Sequence, residues 1–226
     1  MGGARLACFD LDNTLIDRGA AYLSWAREFA GRRGLDQAAV ELLVELDRDG
    51  FATRAEVFGP ARARLGLAEG VEELVAAYRI DYPRHVAPVP EVASGLARLR
   101  EAGVRVALVT NGPPSQCDKL VRAGLEGCFD AVCISELLGV AKPDRAIFAA
   151  AAERCGTALS KLGRGWMVGD QPEADVAGGH GAGLETLWVR RGRRFPGHLP
   201  APDREVDGAL EALAYLLDEA GGVAGG

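Results

Sequence analysis

The chain has 226 residues with a formal net charge of −6 at pH 7, and 48% of its residues are hydrophobic. This length suits one α/β domain, or a core with a smaller partner domain. The acidic balance gives no general attraction to nucleic acid, and no apolar run approaches the ~20 residues of a membrane helix, so we expect neither partner. Five cysteines without a C-x-x-C pair favour reduced thiols, and no signal peptide is evident, so we expect a cytoplasmic protein.

The first apolar run, residues 6–9, predicts a short buried strand, and Asp10, Asp12 and Thr14 follow it. Ligands of α/β sheets gather at the carboxyl ends of the strands. Two carboxylates that converge there repel each other unless a cation or a proton intervenes. Such a pair can divide nucleophilic attack and proton transfer between its members. Alone, however, D-x-D is also a common turn pattern.

Four stretches with apolar residues at helical spacing follow, with no strand between them, and they predict a small helical bundle at residues 17–87. Gly59-Pro60 is expected to kink or restart the third helix. Three prolines predict an extended linker over residues 83–90. The aromatic residues interpreted as the core of the bundle are Tyr22, Trp25, Phe29, Phe51 and Phe58.

From residue 88 onward, predicted helices alternate with predicted strands. The strands are expected at residues 104–109, 131–134, 166–168 and 186–189, and the last helix at 208–220. This alternation is typical of a doubly wound parallel sheet. The predicted fold is therefore an α/β, Rossmann-like core built from residues 1–16 and 88–226 and split by the helical insert.

Three further polar groups follow predicted strands. Thr110-Asn111-Gly112 suits phosphate binding ahead of a helix N-terminus, although it also suits a plain turn. Lys142, one of only three lysines in the chain, precedes a proline, and we expect it to be the only lysine placed to reach a phosphate. Asp170 and Asp175 add oxygen ligands of the kind that Mg²⁺ prefers.

Together the four groups form an ordered set of motifs: D-x-D-x-T at Asp10, Thr-Asn-Gly at Thr110, Lys-Pro at Lys142, and G-D-x-x-x-x-D at residues 169–175. In this order, each after a predicted strand, the set resembles the haloacid dehalogenase (HAD) superfamily of phosphohydrolases over residues 6–189. The helical insert is similar to the cap that this superfamily places after its first strand.

The resemblance implies a Mg²⁺-dependent phosphatase that acts on a small phosphate ester. It implies that Asp10 is the nucleophile and forms an aspartyl-phosphate, and that Asp12 protonates the leaving alkoxide and then activates water. The residues implied to hold the phosphoryl oxygens are Thr110, the backbone of Asn111, and Lys142. The residues implied to bind Mg²⁺ are Asp10, Asp12 through its backbone carbonyl, Asp170 and, as a supporting group, Asp175. Sugar phosphates, phosphoglycolate-like acids and nucleoside monophosphates all stay open as substrates.

Other activities on this fold fit these residues less well than a phosphatase does. Dehalogenases typically lack the second aspartate, which is present here as Asp12. Phosphomutase-like members use cap lysine and histidine, whereas residues 17–87 contain no lysine and only one histidine, His85, in the predicted linker. A non-catalytic binding protein would be expected to have lost at least one member of the set.

One basic run, Arg190, Arg191, Arg193 and Arg194, follows the strand predicted at residues 186–189. Its preferred interpretation is a solvated loop. Because it lies at the predicted active-site edge of the sheet, steering of anionic substrates is the alternative.

Overall fold

The structure is a computed structural model, and it describes residues 3–221. It divides into two compact units, one formed by residues 1–16 and 88–226 and the other by residues 17–87. Within the described residues, no helix is both long enough and apolar enough to span a membrane. All five cysteines are free thiols, and Cys8, Cys133 and Cys155 are buried.

The helical unit contains α1 (Arg18–Arg32), α2 (Gln37–Asp47), α3 (Arg54–Leu65) and α4 (Val71–Asp81). Local side chains fix where these helices begin. The side chain of Asp36 caps α2, accepting a hydrogen bond from the backbone N of Ala39. Thr53 and Glu56 form a reciprocal capping box at the start of α3. The four predicted helices are therefore present.

Aromatic side chains fill the interior of the helical unit. Trp25 packs against Phe58 and Tyr78 in edge-to-face geometry, with ring centroids 5.9 and 4.8 Å away. Of the aromatic residues predicted to form this core, Phe51 is the exception, because 51% of it is exposed. That prediction was wrong, since Phe51 follows a tight turn whose residues Arg48 and Asp49 have positive φ, outside the helical stripe.

Two other expectations for the insert were wrong in part. Helix α3 runs through Pro60 without restarting, because Pro60 and Glu56 are exposed and water can satisfy the carbonyl that the proline leaves unbonded. The predicted extended linker begins as a 3₁₀ turn at Tyr82–His85, with Tyr82 and Pro83 buried. Proline is tolerated there because it stands at the start of the turn.

The core unit is built on a parallel six-stranded sheet. Its strands are β1 (Ala4–Phe9), β2 (Arg105–Thr110), β3 (Ala131–Ile134), β4 (Leu162–Gly169), β5 (Glu185–Val189) and β6 (Arg204–Val206), in the spatial order β3-β2-β1-β4-β5-β6. The apolar runs at the centre of the sheet are buried on both faces, as parallel strands require. The strand order reverses between β1 and β4, which is where doubly wound sheets bind ligands. The predicted α/β fold is confirmed.

Helices cover both faces of this sheet. They are α5 (Pro90–Glu101), α6 (Gln116–Ala123), α7 (Ser135–Leu138), α8 (Arg145–Arg154), α9 (Gly178–Ala182) and α10 (Ala209–Gly221), and a π-helical turn, Pro172–Ala177, leads into α9. Helix α8 packs on β1, β2 and β3, and α5 packs against α10. The short helix α7 and the three-residue edge strand β6 carry too few residues to show a period, so the sequence did not predict them.

Candidate active site

The D-x-D-x-T loop begins where β1 ends. The backbone N of Asp10 still donates to Val168 O at 2.9 Å, so Asp10 is held in register with β4. The chain then turns sharply, and the backbone N atoms of Leu15 and Ile16 both donate to Leu11 O. Asn13 takes the left-handed conformation at φ 61°, which asparagine tolerates better than most residues. Asp10 is buried and Asp12 is half-buried at this turn.

Lys142 lies at the centre of the site, where it is 5% exposed. Its Nζ lies 2.7 Å from Asp10 Oδ1 and 2.7 Å from Asp175 Oδ1. Burial alone would lower the pKa of Lys142, but the charges of the two carboxylates outweigh it, and the pKa lies above its ordinary value. Lys142 is therefore a fixed positive charge.

Asn111 fixes the backbone of Lys142. Its Nδ2 donates to Lys142 O at 2.9 Å, and its Oδ1 accepts from Lys142 N at 2.8 Å. This reciprocal pair joins the end of β2 to the Lys-Pro segment, whose peptide bond is cis. The backbone N of Gly112 donates to Ser135 Oγ at 2.9 Å. The side chain of Asn111 thus holds the backbone of Lys142 in place.

Asp170 follows β4 and is 1% exposed. Its carbonyl oxygen accepts from Trp188 Nε1 at 2.9 Å, and Arg193 Nη2 donates to its Oδ2 at 2.9 Å. Burial, together with the charges of Asp10 and Asp175, raises the pKa of Asp170 to about 8, although Arg193 opposes the shift. An anionic Asp170 is therefore costly until further positive charge is supplied.

Asp175 comes from the π-helical turn and packs over the end of β4. Its Oδ2 accepts from the backbone N of Gln171 at 2.9 Å. A Cβ on Gly169 would collide with the Asp175 carboxylate, so glycine is required at this position of the G-D-x-x-x-x-D motif. By contrast, Glu173 of the same turn is exposed, as suits a simple acid in a first turn.

The three buried aspartates fit a hard divalent cation. Carboxylate oxygens of Asp10, Asp170 and Asp175 all lie within 4.8 Å of one another. Burial raises the pKa of Asp10 to about 6, even though Lys142 opposes the shift. Two cations, Lys142 and Arg193, beside three carboxylates still leave negative charge in excess, and oxygen ligands of this kind suit Mg²⁺.

Two further residues at the site were not predicted, Gln116 and Lys119 in the first turns of α6. Lys119 Nζ lies 2.8 and 2.6 Å from Asp12 Oδ1 and Oδ2. Gln116 Nε2 donates to Asp12 Oδ2 at 3.1 Å and to Thr110 Oγ1 at 2.8 Å. Lys142 is therefore not the only lysine buried at this edge of the sheet, while the expectation that it alone is placed to reach a phosphate stays a prediction. Lysine rarity, together with the Q-x-x-K spacing after Thr-Asn-Gly, was the available signal.

The arginine run does not behave as one solvated loop. Arg190 is exposed and pairs with Asp207, which agrees with the preferred interpretation. Arg193 instead contacts the buried carboxylate of Asp170, and its guanidinium carbon lies 5.7 Å from the centroid of the Trp188 ring. For Arg193 the solvated-loop interpretation was wrong, because β5 delivers the loop to the edge of the sheet where the aspartates cluster.

Known hydrolases are similar to this chain in sequence. The family model for haloacid dehalogenase-like hydrolases matches residues 4–183. A phosphoserine phosphatase from Thermus thermophilus is 35% identical over 87% of this chain and 79% of its own length. A glyceraldehyde 3-phosphate phosphatase from Methanopyrus kandleri is 31% identical over 93% of this chain and 96% of its own length.

The crystal structure of YfnB from Bacillus subtilis, a HAD hydrolase bound to magnesium, has the same fold. It is 24% identical, covers 96% of this chain and 99% of its own, and has a TM-score of 0.76. The present chain belongs to the haloacid dehalogenase-like hydrolase family, and it is a phosphatase-like member of that family.

Proposed function

We propose that this HAD phosphatase is a Mg²⁺-dependent phosphomonoester hydrolase that works through an aspartyl-phosphate on Asp10. The observation that carries the proposal is the buried cluster of Asp10, Asp170 and Asp175 around Lys142, at the carboxyl ends of β1 and β4. Phosphoryl transfer needs an oriented nucleophile and positive charge around the transferring oxygens. Asp10 of this cluster would be the oriented nucleophile. Lys142 would supply part of the positive charge, and a bound cation would supply the rest.

In the proposed reaction, a carboxylate oxygen of Asp10 attacks phosphorus, and the bond from phosphorus to the ester oxygen breaks. Asp12 gives its proton to the leaving alkoxide. Water then attacks the phosphorus of the aspartyl-phosphate and gives a proton back to Asp12, and phosphate leaves as Asp10 is regenerated. Thr110, the backbone at Asn111, and Lys142 would bind the phosphoryl oxygens and stabilise the charge that builds on them.

Mg²⁺ would be held by Asp10, Asp170 and the backbone carbonyl of Asp12, with Asp175 supporting it. When bound, the ion supplies the charge that neutralises the phosphoryl oxygens. The raised pKa values of Asp10 and Asp170 support this, because burial and mutual repulsion destabilise the ionised carboxylates, and a bound cation would stabilise them.

The substrate class is proposed as small phosphorylated metabolites. The two named relatives act on an amino-acid phosphate and a triose phosphate. Both substrates are phosphate monoesters, but the alcohols that carry the phosphate differ. Phosphoglycolate-like acids and nucleoside monophosphates belong to the same chemical class. Residues 17–87 are proposed to form the cap domain, and residues 1–16 with 88–226 the catalytic core.

The test is a panel of phosphomonoesters assayed with the purified protein in Mg²⁺ and again in excess chelator. It contains phosphoserine, glyceraldehyde 3-phosphate, phosphoglycolate, nucleoside monophosphates and 4-nitrophenyl phosphate. We expect phosphate release in Mg²⁺, its loss in chelator, and its recovery when Mg²⁺ is restored. Full turnover in chelator, or no phosphate release from any ester, would overturn the proposal.

A further inference from the structure

Helix α6 presents two polar side chains, Gln116 and Lys119, to Asp12. They are three residues apart and therefore lie on one face of the helix. Both are buried, at 1% and 8% exposure. The nearby Gly112 leaves room for the glutamine, because a Cβ on Gly112 would lie 3.0 Å from Gln116 Cγ.

The contact between Lys119 and Asp12 involves both carboxylate oxygens, at 2.8 and 2.6 Å. Gln116 adds a third hydrogen bond to Oδ2, and the same amide group bonds to Thr110 Oγ1. Three charge-assisted contacts to one carboxylate fix its plane as well as its position. Gln116 thus links Asp12, the proposed general acid, to Thr110 at the end of β2, whose hydroxyl is proposed to bind the phosphoryl group.

Lys119 and Lys142 contact different members of the D-x-D pair. Lys142 Nζ contacts Asp10, and also Asp175, whereas Lys119 Nζ contacts Asp12. Burying a lysine side chain costs conformational entropy and desolvation, so its ammonium is held there only by a strong partner. Each lysine therefore contacts and holds a different aspartate of the pair.

We infer that Lys119, together with Gln116, is a positioning residue that holds the Asp12 side chain where it can give its proton to the leaving group and then, as a carboxylate, take a proton from the attacking water. The inference rests on the proposed function and adds to it a division of labour between the two buried lysines. Lys142 acts on the nucleophile and the phosphoryl group, and Lys119 acts through Asp12. Neither Lys119 nor Gln116 is required to touch the substrate.

This role differs measurably from a general effect of charge. Loss of a positive charge weakens the attraction of every phosphate ester to the site by a similar factor. Loss of a positioned acid slows esters with basic leaving groups, which need a proton, far more than esters with acidic leaving groups. Phenyl phosphate and 4-nitrophenyl phosphate are close in shape but differ in this respect.

The experiment measures kcat/KM for both esters in Mg²⁺ with wild-type protein and with Lys119→Met. We expect a loss on the order of 10²-fold for phenyl phosphate and of at most about 10-fold for 4-nitrophenyl phosphate, as suits a misplaced general acid. The ratio of the two values does not depend on how much of the preparation is folded. Lys161→Met, which removes the remaining, exposed lysine, is the matched control and should leave both values unchanged.

Two additional variants keep the test decisive should Lys119→Met fail to fold. Gln116→Met should shift the ratio in the same direction by about 5-fold, and Lys119→Arg, which keeps a two-point contact, should hold it within about 3-fold of wild type. Equal losses for both esters in the methionine variants would overturn the inference while leaving the proposed function intact. No turnover of any ester by wild-type protein would overturn both.

Discussion

Each unit of this protein buries a cluster of charged side chains, and the two clusters are built in opposite ways. In the helical unit, Asp47 accepts hydrogen bonds from Arg18 on both oxygens and from Arg54 on one, at 2.6–2.7 Å. In the core unit, Asp10 and Asp175 share Lys142, and Asp170 lies beside them. Cations outnumber the carboxylate in the first cluster, whereas carboxylates are in excess in the second.

The pKa values report this difference. Burial alone would raise the pKa of Asp47, but the hydrogen bonds and charges of Arg18 and Arg54 outweigh it, so that pKa lies below its ordinary value. For Asp10 and Asp170, burial and mutual repulsion prevail, and the pKa values rise to about 6 and about 8. A cluster that satisfies its own carboxylate suits a structural role, while one that leaves its carboxylates short of positive charge suits the binding of a cation.

The largest expected effect comes from removing Asp10, the proposed nucleophile of the core cluster. Asp10→Asn should abolish turnover, which means a loss on the order of 10⁵-fold or more in kcat, as for other covalent nucleophiles. No acid-stable phosphoenzyme should be trapped in this variant. The same change removes one of the repelling carboxylates, so the protein should melt no lower than wild type. The measurement is burst kinetics with acid trapping, and Asp218→Asn, on an exposed face of α10, is the control. An active Asp10→Asn variant would move the nucleophile elsewhere.

Removing the lysine of the core cluster should have the next largest effect. Lys142→Met should lower kcat on the order of 10²–10³-fold, the usual loss for one preorganised positive group. Because Lys142 contacts two carboxylates, the variant should also melt at a lower temperature in chelator, and Mg²⁺ should restore part of the loss. Turnover and melting curves with and without Mg²⁺ check this. Normal behaviour in both would remove Lys142 from the phosphate site.

Breaking the helical cluster should affect stability. Asp47→Ala leaves the buried Arg18 without its partner and should cost ~3–5 kcal/mol of unfolding free energy, typical of a broken buried ion pair. The comparison is with Glu45→Ala, which removes an exposed carboxylate from the same helix. Urea unfolding gives both values. An Asp47→Ala variant as stable as Glu45→Ala would show that this cluster is not structural.

The smallest effect is a pH dependence whose sign separates the two clusters. In chelator, folded Asp10 and Asp170 hold protons that the unfolded chain, with ordinary pKa values near 4, has lost. Stability should therefore fall as pH rises from about 5 to about 8, by on the order of a few kcal/mol. Asp47 behaves in the opposite way, since its contribution is lost only as pH falls below about 4.

Melting temperatures between pH 5 and pH 8 check this, with and without Mg²⁺. The metal should flatten the decline, because it stabilises the ionised carboxylates. Asp170→Asn in chelator should flatten it as well. A wild-type decline that neither change reduces would mean that other groups cause it.

The parallel sheet and the positions of Asp10, Thr110 and Asp170 could be predicted because each depends on local sequence. An apolar run defines each strand, and the residues at its end lie at the carboxyl edge of the sheet. Lys142 was predicted instead from the rarity of lysine and the proline that follows it, because helix α7 lies between β3 and Lys142. The contacts of Lys119 and Arg193 depend instead on side chains that reach across from α6 and from the loop after β5. A helix with one lysine and a run of arginines both occur on solvated surfaces as well. Lysine rarity and the Q-x-x-K spacing single out Lys119, but neither pattern shows which buried carboxylate the side chain contacts.

The central expectation that follows from the cluster of buried aspartates is that the core unit binds a divalent cation. Calorimetric titration of Mg²⁺ into metal-free protein tests it without relying on turnover. We predict one ion per chain for wild type and for Asp218→Asn, and a loss of at least about 10-fold in affinity for Asp170→Asn, as expected when one of few charged ligands is removed. Absence of Mg²⁺ binding by wild type at millimolar concentration, or equal affinity in Asp170→Asn, would contradict the claim.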